Sequence, residues 1–337
     1  MRVSDFQYAL PEGAIAQSPI EPRHDARLLD TRDMSDHRFL DLADLLSADD
    51  LVVVNDTRVR AARLRGRRRE TGGEVELLLL ERHTDGTWEA LAKPSRRLRR
   101  GVEIDLGGFS ATVLSDPDRG MVQVELTVED AEDAIAAHGE VPLPPYFRGR
   151  LDDPERYQTI FARDPGSAAA PTAGLHFSDE VVARLRARGV RLASVDLHVS
   201  LDTFRPMSTD DVEDHQMHSE WCAVSGETAA AVDETRLKGG RLVAIGTTVV
   251  RTLESRADGK GGVTAGEGST DLFLRPGSVI SVVDILVTNF HLPGSTLLVL
   301  LAAFMGERWR EAYETALHRG YRFLSFGDAM LAVRDRT

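Results

Sequence analysis

Four short polar clusters in this chain follow runs that read as buried strands. NDTR (Asn55–Arg58) follows the run LVVVN, and His198 ends the run VDLHV with Thr203 just beyond. Gly246–Thr248 (GTT) joins the run RLVAIG to a helical segment, and TNFHLP (Thr288–Pro293) closes VDILVTNF with an amide and an imidazole. Layered α/β folds collect ligands at the carboxyl ends of their strands. Singly, each cluster equally suits a turn or a helix cap, but four strand ends of this kind point to a shared pocket. The GTT backbone N–H groups and hydroxyls suit a carboxylate, a ribose or a phosphate. PTAGLHF (Pro171–Phe177) sets His176 in a turn where Ala173 and Gly174 permit close ligand approach.

DHQMHSE (Asp214–Glu220) invites a metal reading through His215, His218 and Glu220. The gap between the imidazoles puts them on one side only in a helix, and no helical His-Glu-x-x-His partner is present. Acid–base or hydrogen-bonding use is therefore favoured, and no metal is expected. The sequence contains no Walker A loop, no Gly-x-Gly-x-x-Gly after a strand and no Gly-x-Ser-x-Gly elbow. Its one cysteine, Cys222, excludes internal disulfides and zinc sites built on several cysteines.

The elements that must position these groups divide in texture. LVVVN (Leu51–Asn55) reads as the first strand of an α/β layered domain. From Val59 to Leu126, short alternating runs separated by Gly, Asp and Pro suggest a small antiparallel barrel, closed by a short helix over Glu129–His138. After VPLPPYF (Val141–Phe147), strands and helices alternate: a helix over Ser178–Arg188 capped by Ser178, a strand over Val190–Val199 and a helix over Glu227–Leu237. There follow a strand over Arg241–Gly246, a helix over Thr248–Arg256, a strand over Val283–Phe290 and helices near Ser295–Met305 and Glu307–His318. Asp258–Gly268 reads as a Gly-rich surface loop. The fold class predicted is α/β: a layered α/β main domain, residues 1–58 and 146–337, with a small antiparallel β-barrel, residues 59–145, inserted in it.

The 337 residues are 42% apolar, enough for two domains with cores, and carry a net charge of −13. No apolar run is long enough to span a bilayer, and the opening MRVSDFQYALPEG lacks a signal-peptide core, so a cytoplasmic setting is expected. Between Arg58 and Arg100, thirteen cations face six anions, a local +7 that leaves −20 elsewhere. One basic patch on an acidic body favours a phosphate backbone over a merely solubilising role.

Together these stretches resemble the S-adenosylmethionine:tRNA ribosyltransferase-isomerases of queuosine synthesis. PTAGLHF, MHSE and TNFHLP carry the resemblance in that order, with LVVVNDTRVRAARLRG, GTTVVRTLES and YRFLSFGDAML, and it spans Phe6 to about Leu331. The resemblance implies an α/β domain carrying an inserted barrel. It also implies transfer and isomerisation of the ribosyl group of S-adenosylmethionine, a consumed co-substrate, onto 7-aminomethyl-7-deazaguanine at the tRNA wobble position. Epoxyqueuosine-tRNA forms, and adenine and methionine leave. The expected partner is tRNA, with no membrane and no obligate protein partner.

That chemistry needs a base near the acidified C5′ protons and an acid for adenine. His176 and His218 are the leading candidates, with His198, His291 and Glu220 in reserve. Gly246, Thr247, Thr248, Thr172 and Gly174 would hold the co-substrate and Asn289 would orient it. Asp56 and Arg58 would contact the substrate amine or a phosphate, and Arg67, Arg68, Arg69, Arg96 and Arg97 the tRNA. The family's usual HVGxGTF appears as HVSLDTF, with Ser200 and Asp202 for glycines. Val249 replaces a hydroxyl, and Gly294 lacks a commonly present cation. The competing readings are a paralogue acting on a free deazapurine or another small amine, a non-enzymatic RNA-binding module, and a metal hydrolase.

Overall fold

The computed structural model describes residues 1–149, 151, 153–200 and 206–335. The chain forms two compact units, one of Met1–Arg58, Pro144–Asp164 and Ala170–Thr337, the other of Val59–Leu143 and Pro165–Ala169. The boundary expected after residue 145 thus falls after 143, and five residues from further along the chain join the second unit.

The first unit is built on a nine-stranded mixed sheet. Four parallel strands form its middle, in the spatial order Arg191–Leu197, Leu51–Asn55, Leu242–Ile245 and Ile285–Asn289. The last three are buried at every position, as expected of strands covered on both faces. Ala329–Val333 continues the sheet antiparallel to Ile285–Asn289, followed by Arg27–Asp30 and Ser35–Arg38. On the far side lie Glu220–Val224 and Gly266–Thr270, both in antiparallel pairings.

Two sequence expectations are corrected here. The first strand of the sheet in chain order is Arg27–Asp30, not Leu51–Asn55. Its four residues, RLLD, are too short to show an alternation. The loop expected over Asp258–Gly268 ends early, because Gly266–Thr270 is an edge strand whose glycines and exposed side chains conceal it.

Three of the helices begin where serine can satisfy free first-turn N–H groups. Ser178, Ser225 and Ser295 each accept from the backbone N–H three residues on. The apolar run becomes the helix Thr296–Met305, with eight of ten residues buried. Among the described residues no helix is long and apolar enough to cross a membrane.

The second unit is a closed six-stranded barrel, entirely antiparallel, in the order Met121–Thr127, Trp88–Lys93, Glu74–Arg82, Arg63–Arg68, Glu103–Asp105 and Ser110–Val113. Leu64, Val75, Leu77, Trp88, Ala90, Ile104 and Val124 fill its interior. Closure brings Arg63–Arg68 so near Glu103–Asp105 that a Cβ on Gly66 would lie 2.4 Å from the Asp105 carbonyl, so only glycine fits there. The expectation that this unit is basic is corrected: thirteen cations meet sixteen anions in it, a net of −3. The +7 belongs to one stretch of chain, and the acids that offset it lie further along, from Glu103 to Glu140.

Candidate active site

The four parallel strands end on one side of the sheet, and residues just past three of them, Arg191–Leu197, Leu242–Ile245 and Ile285–Asn289, meet around a cavity. Gly246, Thr247 and Thr248 enter it from the end of Leu242–Ile245, and Thr288, Asn289 and His291 from the end of Ile285–Asn289. Thr172 comes from the PTAGLHF turn, and Tyr146, Ser295 and Ser325 complete the polar lining. Among the described residues no Asp, Glu, Lys or Arg lines it. The cavity therefore offers hydroxyls, one amide and one imidazole between apolar walls, a set matched to a sugar or nucleoside rather than to a phosphate.

Backbone geometry fixes this lining. Gly246 sits at φ 93, a left-handed value open to glycine, and starts the helix Thr247–Ser255 without a side-chain cap. Its N–H donates to the Val287 carbonyl at 2.8 Å, which joins the two strand ends. Asn55, itself buried, donates from Nδ2 to the Leu197 carbonyl at 3.0 Å and to Thr248 Oγ1 at 3.4 Å. Asn55 thus ties three strand ends together without lining the cavity.

Asn289 is the hub. Its Oδ1 accepts from Thr172 Oγ1 at 2.8 Å, and its Nδ2 donates to the Asp328 carbonyl at 3.3 Å and to His176 Nε2 at 3.1 Å. Those partners fix the amide orientation, so His176 Nε2 is the acceptor and its proton resides on Nδ1. Burial first, and then Arg322, lowers the His176 pKa to about 3. The ring lies 5.0 Å from Phe39 and lines a second, smaller cavity with Arg23 and Arg156. His176 thus reaches the main cavity only through Asn289, with its lone pair already engaged.

His291 is the imidazole that lines the main cavity. Its Nε2 lies 3.2 Å from Thr288 Oγ1, and burial lowers its pKa to about 3. Its backbone N–H donates to the Tyr313 hydroxyl at 2.8 Å, and its carbonyl accepts from the Tyr8 hydroxyl. The backbone is thus clamped on both sides, and the buried ring stays neutral near pH 7. Burial pushes the Tyr146 hydroxyl up to about 12, so it remains protonated, hydrogen-bonded to Ser325.

The other predicted residues lie away from this cavity. His198 packs against Trp221 with ring centroids 4.6 Å apart and the rings tilted by 38°, and its Nε2 is 3.5 Å from Asp196. His218 is exposed, in the segment before Glu220–Val224. Glu220 is buried, pairs with Arg251 and accepts from the Ser200 N–H at 2.8 Å. Among the described residues no three His, Cys, Asp or Glu converge as metal ligands. Gly174 is buried, and a Cβ there would meet Thr159 Cγ2 at 3.0 Å, so the glycine serves packing. Asp56 lies 3.5 Å from Arg163 and its pKa is raised by burial, while Arg58 pairs with Glu155.

In the barrel unit, Arg67 pairs with Glu74 and Arg69 with Glu103. Arg68 packs its guanidinium against Gly73. Arg96 and Arg97 are exposed, and among the described residues neither has an acidic partner. Of the family departures, Val249 is in the core, and Gly294 has φ 65 with Gln7 Nε2 only 2.4 Å from where a Cβ would stand. Asp202 and Thr203 fall outside the described residues.

Tyr146, Ser295, Ser325 and Arg251 were missed by strand-end reasoning. Ser325 precedes Ala329–Val333, which enters this edge by its amino end because it runs against its neighbour. Arg251 did carry a signal: a charge inside TTVVRTLES, where Val249, Val250 and Leu253 leave it little solvent-facing surface.

Comparison with known proteins places the chain in a family. The family described as "Queuosine biosynthesis protein" matches residues 3–332. A curated S-adenosylmethionine:tRNA ribosyltransferase-isomerase of Symbiobacterium thermophilum is 50% identical, over 99% of this chain and 100% of that protein. The Moorella thermoacetica protein of the same name is 47% identical, with the same coverage. The crystal structure of an S-adenosylmethionine tRNA ribosyltransferase from Thermotoga maritima matches with a TM-score of 0.56 and 36% identity, over 97% of this chain and 99% of that one. Matched along nearly its whole length by family, curated relatives and solved fold, the chain belongs to the queuosine biosynthesis family of S-adenosylmethionine:tRNA ribosyltransferase-isomerases.

Proposed function

We propose that this enzyme transfers and isomerises the ribosyl group of S-adenosylmethionine onto 7-aminomethyl-7-deazaguanine at the wobble position of tRNA. The products are epoxyqueuosine-tRNA, adenine and methionine. The observation that carries the reading is the hydroxyl-rich cavity at the carboxyl ends of the parallel strands, with no charged side chain among its described lining residues. Thr172, Thr247, Thr248 and Ser325 offer hydrogen bonds to ribose hydroxyls, and Asn289 holds Thr172 in place.

His291 replaces His176 and His218 as the leading proton-transfer residue, because it lines the cavity and is neutral near pH 7. Its lone pair takes a C5′ proton made acidic by the adjacent sulfonium, and the imidazolium is then offset by the carbanion it has created. Tyr146, held protonated, is the donor for the departing adenine. His176 becomes a positioning residue acting through Asn289.

tRNA is read as bound by the barrel unit, with the exposed Arg96 and Arg97 among its phosphate contacts. The net −3 of that unit favours keeping a second reading, a ribosyl transfer to a free deazapurine or small amine. Incubation with S-adenosylmethionine and either deazaguanine-bearing tRNA or free 7-aminomethyl-7-deazaguanine, followed by mass spectrometry of adenine, separates the two. Adenine release that depends on the tRNA supports the first reading, and equal release with the free base supports the second.

A further inference from the structure

A hydroxyl has one hydrogen to give and lone pairs to receive another. What a ligand meets in the main cavity therefore depends on which of these the protein already uses. Ser295 gives its hydrogen to the Leu292 carbonyl at 2.7 Å and accepts from the Leu298 N–H at 3.3 Å. Tyr146 and Ser325 bond each other, and Thr288 is bonded to the His291 ring. Thr248 accepts from Asn55 Nδ2 at 3.4 Å, and no described acceptor takes its hydrogen.

Thr172 is the reverse case. Its hydroxyl donates to Asn289 Oδ1 at 2.8 Å, and no described group donates to it. That bond cannot run the other way. Asn289 Nδ2 donates to the Asp328 carbonyl, a group that only accepts, so the amide turns Oδ1 toward Thr172, and Oδ1 carries no hydrogen. Thr172, half-buried in the cavity wall, thus offers a ligand lone pairs alone. A phosphate or carboxylate set against it would oppose lone pair to lone pair. A ligand hydroxyl, with a hydrogen to give, satisfies it.

We propose that Thr172 is a specificity-determining residue for the sugar: it accepts the hydrogen of one ribose hydroxyl of the sulfonium co-substrate, and the Asn289 amide fixes that polarity. The enzyme then requires a hydroxyl hydrogen at that position of the sugar, and an acceptor atom standing in its place does not replace it. This proposal rests on the reading above that S-adenosylmethionine is the co-substrate.

Isothermal titration of the full-length protein tests it with S-adenosylmethionine, its 2′-deoxy and 3′-deoxy analogues, and the two analogues carrying fluorine in place of the same hydroxyls. For the wild-type protein, one deoxy analogue is expected to bind at least about tenfold more weakly than S-adenosylmethionine. The matching fluoro analogue, which keeps an acceptor but no hydrogen, should bind within about threefold of that deoxy analogue. Thr172→Val should bring S-adenosylmethionine to within about threefold of it as well, and Thr172→Ser should restore the preference. Wild-type affinity for both deoxy analogues within about threefold of the parent overturns this proposal alone. So does a fluoro analogue that binds as well as the parent, or a preference undiminished in Thr172→Val. The fluoro comparison needs only the wild-type protein, so it decides the matter even where a variant fails to fold. No binding of S-adenosylmethionine by the wild-type protein overturns the proposal together with the reading on which it rests.

Discussion

Replacing Asn289 by alanine isolates the hub of the site. The substitution removes the donor to His176 Nε2 and to the Asp328 carbonyl, and the acceptor for Thr172 Oγ1. Thr172 faces the cavity and can turn to water, but His176 and Asp328 are 5% and 2% exposed and have no such recourse. Two buried polar groups stripped of a partner cost roughly 1–3 kcal/mol each, so about 3 kcal/mol of folding stability should be lost. Urea unfolding followed by circular dichroism reads this as a lower midpoint with an unchanged slope. Asn289→Asp, nearly isosteric, places a carboxylate against His176 Nε2, favours the imidazolium and raises the His176 pKa. A group whose folded pKa is raised stabilises at low pH and stops doing so as pH climbs through that value. The Asp variant should therefore recover part of its deficit on acidification from pH 7 to 5.5, whereas the Ala variant should not. A loss below about 1 kcal/mol for Asn289→Ala, or identical pH behaviour of the two variants, would refute the hub.

Other consequences are direct. His176 and His291 are neutral in the folded protein down to about pH 3, while the unfolded chain protonates them below about 6.5. The unfolded state then binds more protons between those values, so stability should fall with acidification below pH 6.5, by up to about 1.4 kcal/mol per pH unit for each ring. His176→Gln with His291→Gln should flatten that slope in urea titrations at pH 7 and 5. His291→Gln alone should reduce adenine release by roughly 10²-fold or more with the fold intact, and His218→Ala should leave it within about threefold. Arg96→Ala with Arg97→Ala should flatten the log–log salt dependence of tRNA affinity by roughly 1.5 to 2. The same change at Arg67 and Arg69, already paired with Glu74 and Glu103, should flatten it less.

Legibility in the sequence follows the range of the forces involved. Buried parallel strands announce themselves as apolar runs, and turns at their carboxyl ends stand out by residue type, so Gly246–Thr248, Asn289 and His291 were all found. Ser325 and Tyr146 were not, since they reach the cavity through antiparallel and loop connections that no local pattern encodes. The ranking of the histidines depends on burial and on the state of each lone pair. His176 and His291 are equally prominent as residues, yet the first bonds Asn289 while only the second lines the main cavity. The basic stretch is basic only along the chain, because Arg69 finds Glu103 and Arg65 finds Glu140 across the barrel.

Deprotonation at C5′ inside the hydroxyl-rich cavity is the step on which the proposed mechanism turns. S-adenosylmethionine carrying deuterium at both C5′ positions, turned over on deazaguanine-bearing tRNA in ordinary water, tests it directly. Mass spectrometry of the modified nucleoside should find one of the two deuterons lost, with His291→Gln suppressing turnover. Retention of both deuterons, or full turnover by that variant, would contradict the account.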